Sequence, residues 1–321
     1  MDGFSEKMWK NSIVLLCFAD NDDRTEGTLM RFWKGLPMKK ILSIAGGVAV
    51  CLLLSDVSAL CQVATPAPAA ATEAPMVASA VQVPPVEAHP LMPVIRWAER
   101  ERPNIAAIRD YTARMQKQEN IGGNVQEAQV MDVKVRHEPF SVYIRFLYPQ
   151  RLTGQQAIFV RGQNDDKLIA HGVGFQKIAG TQRLDPEGFF AMQGNKYPIT
   201  EMGILNLVDK LLEVAYKDIK FGECEVTYFE DVRFGTGDSA RMCTVIQVIH
   251  PVRRPHFMFH IARIFVDKEL NLPIRYESYD WPRKAGETPQ LIEAYTYMNL
   301  RLNVGLTDAD FDHTNPAYAF P

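Results

Sequence analysis

The side chains best suited to chemistry in this 321-residue chain are few. They are two histidines four apart, His256 and His260, three aspartates at alternate positions, Asp308, Asp310 and Asp312, and two cysteines, Cys224 and Cys243. On a helix His256 and His260 would share a face and suit a metal ion. Their segment, HFMFHIARIFV, alternates like a strand instead, and four residues of strand span about 13 Å. One ion cannot be shared over that distance unless His250 or His313 joins from another element. The aspartates of LTDADFDHT have the spacing that opens a calcium loop. Such a loop needs glycine at 313, where histidine stands, and a carboxylate at 319, where alanine stands. A polar turn is the plainer reading, and neither metal nor cofactor is expected. Nucleophilic chemistry has no better basis: there is no G-x-S-x-G elbow and no glycine-rich phosphate loop. Ser141 lies on a strand with no base beside it in sequence. The chain is read as a non-enzyme.

Cys224 and Cys243 flank the turn FGTGDSA. In an oxidising compartment they are a disulfide candidate. Gly235, at the turn, lies eleven residues after the first and eight before the second, so a simple hairpin would not place them opposite each other. The alternative is a pair of small buried hydrophobes.

The elements that must position these groups are mostly strands. A helix is expected over about Met92–Met115, broken near Pro103, on the spacing of Val94, Ile95, Ala98, Ile105, Ile108 and Met115. Gln129–His137 then alternates, and Phe140–Phe146 does so cleanly, with Phe140, Val142, Ile144 and Phe146 on one face and Ser141, Tyr143 and Arg145 on a wet one. A hairpin is read at 157–171, around Gly-Gln-Asn-Asp-Asp. After a long, weakly periodic stretch from Gly172 to Pro198, a second helix is expected from Glu201 with Thr200 as its cap. Its apolar residues Ile204, Leu207, Val208, Leu211, Leu212 and Ala215 form one stripe. Strands resume at about 223–232, 241–250, 256–266, 273–279 and 291–302. Strands following strands, with two helices set apart, indicate an antiparallel α+β domain. Two helices are few for so many strands, so a half-covered sheet with an apolar face is expected. On that face the ligand-contacting candidates are Phe140, Val142, Ile144 and Phe146, with Phe257, Phe259 and Ile261 from one later strand and Met298 and Leu300 from another.

Basic and acidic residues nearly balance at 35 and 38, a net charge of −3. No basic excess exists to neutralise phosphates, which argues against nucleic acid as a partner. Lys39-Lys40, the apolar run Ile41–Leu54 and the small residues Val57-Ser58-Ala59 have the form of a secretory signal peptide over 38–59. The run is short for a permanent membrane anchor. Residues 1–37 are then read as a start-site extension, 60–90 as an Ala/Pro-rich linker, and 91–321 as the folded domain. The expected location is the periplasm or cell envelope.

From about Pro90 to Phe320 the chain resembles the bacterial DUF1571 group. The resemblance is carried by VRHEPFSVYIRFLYP, KYPITEMGI, DKELNLPIRYESYDWP and EAYTYMNLRLNVGLTDADFD. That group is in turn similar to the outer-membrane lipoprotein carriers of the LolA/LolB type. The resemblance implies a strongly curved antiparallel sheet, an incomplete β-barrel closed by two or three helices, around a cavity that receives acyl chains. It also implies a lid-latching arginine, for which the matching position is Arg136. His137 and Glu138 intervene here before Pro139, and alternation groups Arg136 with Lys134 and Asp132 on a polar face.

The expected function is non-catalytic binding of a lipid, acyl chain or other apolar ligand, as in a periplasmic carrier. The alternative is an envelope protein-interaction or stress-sensing module on the same fold. If the export signal is cleaved after Ala59, protein recovered from the envelope should begin at Leu60. N-terminal sequencing checks this, and a start at residue 1 would overturn both the export and the start-site readings.

Overall fold

The computed structural model describes residues 88–321. The expected start-site extension, the signal peptide and all but the last three linker residues lie outside the described residues. Helix α1 (Met92–Ala106) opens the fold and is followed by β1 (Asp110–Ile121), β2 (Asn124–Val125), β3 (Gln129–Arg136), β4 (Ser141–Tyr148), β5 (Gln156–Val160), β6 (Leu168–His171) and β7 (Gln182–Leu184). A one-turn helix α2 (Phe189–Met192) and the long helix α3 (Ile204–Asp218) come next, before β8 (Glu225–Phe234), β9 (Arg241–Ile249), β10 (Ile261–Asp267), β11 (Leu272–Tyr279) and β12 (Leu291–Leu302). The strands form one antiparallel sheet in the order β7-β6-β5-β4-β3-β1-β12-β11-β10-β9-β8, with β2 paired to β1 alone. Its two ends do not meet. The sheet is an open, incomplete barrel with α1 and α3 against its concave face, the α+β architecture that the sequence led us to expect.

The first helix is shorter than its periodicity suggested. It stops at Ala106, with Pro103 in its last turn, and 110–121 is strand. The expected helix over-ran because Ile105, Ile108 and Met115 suit helical spacing. The buried residues Tyr111, Ala113 and Met115 instead recur at every second position, the period of a strand. β1 becomes the centre of the sheet, flanked by β3 and β12. It packs Tyr111, Ala113 and Met115 with Met131, Val133 and Val135 of β3, and with Ile204 and Val208 of α3.

The second helix starts three residues later than expected. Ile199–Glu201 is a 3-10 turn, and the residue ahead of α3 is Gly203, which has no side chain to cap it. The cap comes from the sheet: the Ile204 amide donates to the Tyr111 hydroxyl at 3.0 Å. Gly203 has φ +117°, and a Cβ there would stand 3.2 Å from that hydroxyl. Glycine therefore permits both the turn and the close approach. At the other side of the roof, α1 and α3 are clasped by Arg102, which donates to both carboxylate oxygens of Asp209 at 2.5 and 2.9 Å.

The face of β4 expected to be wet is so at Arg145 but covered at its start. Ser141 and Tyr143 are buried beneath the C-terminal segment, where Tyr318 stacks on Tyr143 with ring centroids 4.3 Å apart. Lys134 donates to Asp310 Oδ1 at 2.7 Å and to the Tyr318 hydroxyl at 3.0 Å. Asp308, paired with Arg136, and Asp310 of the DADFD run thus serve as fasteners, with Asp310 also closing a capping box on Thr307.

Tyr111→Phe removes the α3 cap and leaves a buried amide unpaired. It should lower stability by about 1–2 kcal/mol, read as a shifted urea midpoint with an unchanged slope. An unchanged midpoint would show that the hydroxyl is not the effective cap.

Candidate functional site

α1 and α3 roof only part of the concave face. Between α3 and the sheet a cavity of about 520 Å³ remains, with its floor on β1, β3–β6, β11 and β12. Met115, Met131, Ile144, Phe146, Ala157 and Ala170 supply the apolar floor, and Leu207, Leu211 and Val214 of α3 the roof. The stretch from Gly172 to Pro198, which gave little sequence signal, builds one wall through Leu184, Phe190 and Tyr197. Phe190 is 75% exposed and stands at the mouth.

The expected ligand-contacting residues fall in several places. Ile144, Phe146 and Phe259 line the cavity. Val142 is fully buried in the packed core, and Phe140 packs against Phe159, ring centroids 6.2 Å apart. Phe257 stacks on His250 at 3.8 Å, in a segment that is loop, because β10 begins only at Ile261. Ile261 alternates with Ala262 and Ile264, which join the helix-side core, so it points the other way. On β12 the sequence expectation is inverted ahead of a register shift, at Met298, and holds beyond it, at Leu300. That shift, opposite Thr112/Arg114 and with Asn299 at φ +52°, reverses the alternation. Leu300 packs into the core, Met298 lies opposite the outward Arg114, and the cavity receives Glu293, Tyr295 and Tyr297.

Arg136 is not at the lid. It ion-pairs with Asp308 at 2.7 Å, donates to the Ser141 hydroxyl at 3.0 Å and lies over the Phe311 ring, all on the convex side. It fastens the C-terminal segment. The disulfide candidate is corrected as well: Cys224 and Cys243 are free, buried thiols. Cys243 pairs across the ladder with Val232, while Cys224 precedes the Glu225–Ile249 pair at the other end, so a whole strand length separates them. Burial pushes their thiols up, to about 12 and about 11. His256 stacks on Phe221 at 3.6 Å, and His260 Nδ1 donates to the His250 carbonyl at 2.9 Å.

Sequence reasoning missed a polar cluster at one end of the cavity. Reading β1 as helix hid that Lys117 and Glu119 continue the inward parity of Tyr111, Ala113 and Met115. In the β1–β12 ladder Lys117 lies opposite Tyr295, and Glu119 opposite Glu293. Both glutamates are buried, and like charges directly opposite destabilise a sheet unless they are compensated. Here compensation is extensive. Lys117 Nζ donates to Glu119 Oε2 at 3.2 Å and to Asn195 Oδ1 at 2.5 Å, and the Lys196 amide also donates to Glu119 Oε2, at 3.1 Å. Lys196 Nζ pairs with Glu293 Oε2 at 2.8 Å. The Tyr295 hydroxyl donates to Glu119 Oε1 at 2.6 Å, and the Tyr197 hydroxyl donates to Glu293 Oε1 at 3.4 Å. Burial pushes the Lys117 ammonium down and both phenols up, Glu293 adding to the rise of each phenol.

A second buried pair ties the far end of α3 to β9. His250 Nδ1 lies 3.1 Å from the Phe259 carbonyl, which fixes the proton on that nitrogen, and its bare Nε2 faces Asp218 Oδ2 at 3.5 Å. Burial pushes Asp218 up to about 7 and His250 down to about 4, so between those values both groups are uncharged and the pair is neutral. Asp218 holds its proton up to about pH 7 when folded but releases it near 3.8 unfolded, so its share of stability falls as pH rises across that window. His250 resists protonation to about pH 4 when folded but accepts a proton near 6.5 unfolded, so its share falls as pH drops. The two slopes oppose. Asp218→Asn leaves only the second, and that variant should lose stability from about pH 6.5 to about 4, by up to about 1.4 kcal/mol per unit, where the parent stays flat. Melting curves across that range check it; parallel curves would refute the neutral pair.

Among the described residues no helix is long and apolar enough to cross a membrane. A comparison with curated proteins finds no match. Several solved structures are similar. A DUF1329 family protein from Desulfovibrio piger shares 16% identity over 70% of this chain and 98% of its own, with a TM-score of 0.34. An outer membrane lipoprotein-sorting protein domain from Vibrio parahaemolyticus shares 13%, covering 68% and 95%, with a TM-score of 0.32. The lipoprotein LppX of Mycobacterium tuberculosis shares 9%, covering 69% and 100%, with a TM-score of 0.37. These likenesses are too slight to bear on the ligand. The sequence itself is decisive about kinship: residues 108–320 match the model of a family described as a protein of unknown function, DUF1571, and the chain belongs to that family.

Proposed function

We propose that the protein is an exported, non-catalytic carrier that takes an elongated apolar molecule, such as a lipid or acyl chain, into the cavity beneath α3. One observation carries the reading: about 520 Å³ of mainly apolar space lies between sheet and helix, within the range of small-molecule sites. Burial alone supplies the affinity, since each methylene withdrawn from water contributes about 0.8 kcal/mol. One chain therefore needs no reacting group to be held. The cavity-lining helix α3 is pinned at both ends, by Tyr111 and by the Asp218–His250 contact, so the pocket is preformed.

Filling the space tests the reading. Ala170→Trp places an indole in the cavity floor and should weaken uptake of an apolar fluorescent dye by at least about tenfold without lowering the melting temperature. In a closely packed core the same substitution would cost about 1–3 kcal/mol through overpacking. Lost stability with no dye uptake by the parent would refute the carrier reading.

A further inference from the structure

The polar end of the cavity has a donor surplus, and that surplus selects a ligand. Each lysine ammonium has three N–H donors and no acceptor. Lys117 spends two, on Glu119 and Asn195. Lys196 Nζ spends one, on Glu293. One donor on buried Lys117 and two on partly exposed Lys196 therefore have no acceptor within the protein. The carboxylate oxygens are close to full. Glu119 Oε2 accepts from Lys117 and from the Lys196 amide, and Glu293 Oε1 accepts from Tyr197 and, at 3.5 Å, from Ser278. A group arriving here meets donors and must itself accept.

Charge narrows the choice. Two lysines already balance two glutamates, and across the whole lining carboxylates outnumber lysines. A ligand anion would be a third negative group beside two buried carboxylates, where like charges raise each other's cost. A ligand cation would bring more donors to lysines that already lack acceptors. An uncharged oxygen acceptor satisfies both conditions. Apolar surface adjoins it: along β1 the same inward row passes from Lys117 to Met115, and along β12 from Tyr295 to Tyr297.

We infer that Lys117 and Lys196 form a subsite for the ester or amide carbonyl of an uncharged acyl-chain ligand, with the chain lying toward Met115 and Ile144. This rests on the carrier reading above and adds the chemistry of the ligand's polar group.

The test uses the purified chain loaded with N-phenylnaphthylamine and a series that keeps the chain and changes the polar group: methyl laurate, tridecane, laurate and dodecyltrimethylammonium. Methyl laurate is expected to displace the dye at about tenfold lower concentration than tridecane, as one hydrogen bond to a charged donor allows. It should also outcompete both ions. In Lys196→Met the ester-to-alkane ratio should fall toward one, a readout internal to each protein and so independent of any change in overall affinity. Lys196 is partly exposed, which makes this variant safer for folding than Lys117→Met; the latter serves as a second test if it melts normally. Equal displacement by ester and alkane, or a ratio untouched in Lys196→Met, overturns the carbonyl subsite while leaving the cavity reading standing. Laurate ahead of methyl laurate overturns it in favour of an anion site. Failure of the dye to bind at all overturns the cavity reading and this inference with it.

Discussion

The structure depends on a mismatch of areas. Eleven strands side by side span roughly 50 Å at the usual spacing. The two long helices on the concave face are each about 10 Å wide and, at 15 residues, about 22 Å long. They cannot cover the sheet. Where α1 and α3 lie, the concave side chains interlock with theirs in two packed clusters. Where α3 stands off the inward rows of β1, β3 and β4, the space between helix and sheet is left unfilled, and the cavity is that remainder. The hollow is the outcome of too little helix over too much sheet, with no special residue needed to prop it open.

The roof is held by contacts that differ in kind at its two ends. At its start α3 is met by a phenol from the central strand, in the space that a glycine leaves. At its end a buried carboxyl group, its pKa raised by burial to about 7, faces an imidazole whose other nitrogen is committed to a carbonyl. Both are neutral and buried, and so are screened little by salt. The convex side is fastened instead by ions: Arg136 to Asp308 and Lys134 to Asp310.

Much of the fold was legible in the sequence because alternation survives along the inward rows of β3 and β4, and the stripe of α3 is clean. The open antiparallel α+β architecture followed from it. Two kinds of local event defeated the rest. Around Pro103 and Met115, three apolar residues matched helical spacing by coincidence, so the central strand was taken for helix and its inward Lys117 and Glu119 went unseen. At Asn299 a bulge reversed the parity of β12, so Met298 was assigned to the ligand face and Tyr295 and Tyr297 to the other. Parity identifies a face only while the register is intact. The polar cluster had a signal all the same: Lys196 and Tyr197 in KYPITEMGI, and Glu293 and Tyr295 in EAYTYMNL, belong to the stretches that carried the family resemblance.

An unclosed barrel leaves two strands with a free side, and here β7 and β8 end the sheet. Free sides invite other chains to add strands and build fibres. β7 is three residues long, too short to template such growth. β8 is longer, but its register breaks between Phe229 and Val232, where Asp231 takes φ +55°, and Lys268 reaches over to pair with Glu230 and Asp231 at 2.7 and 2.8 Å. A kink and a knot of charges interrupt the rim midway along its length. The protein can therefore keep its sheet open enough to hold a hollow without polymerising through the opening.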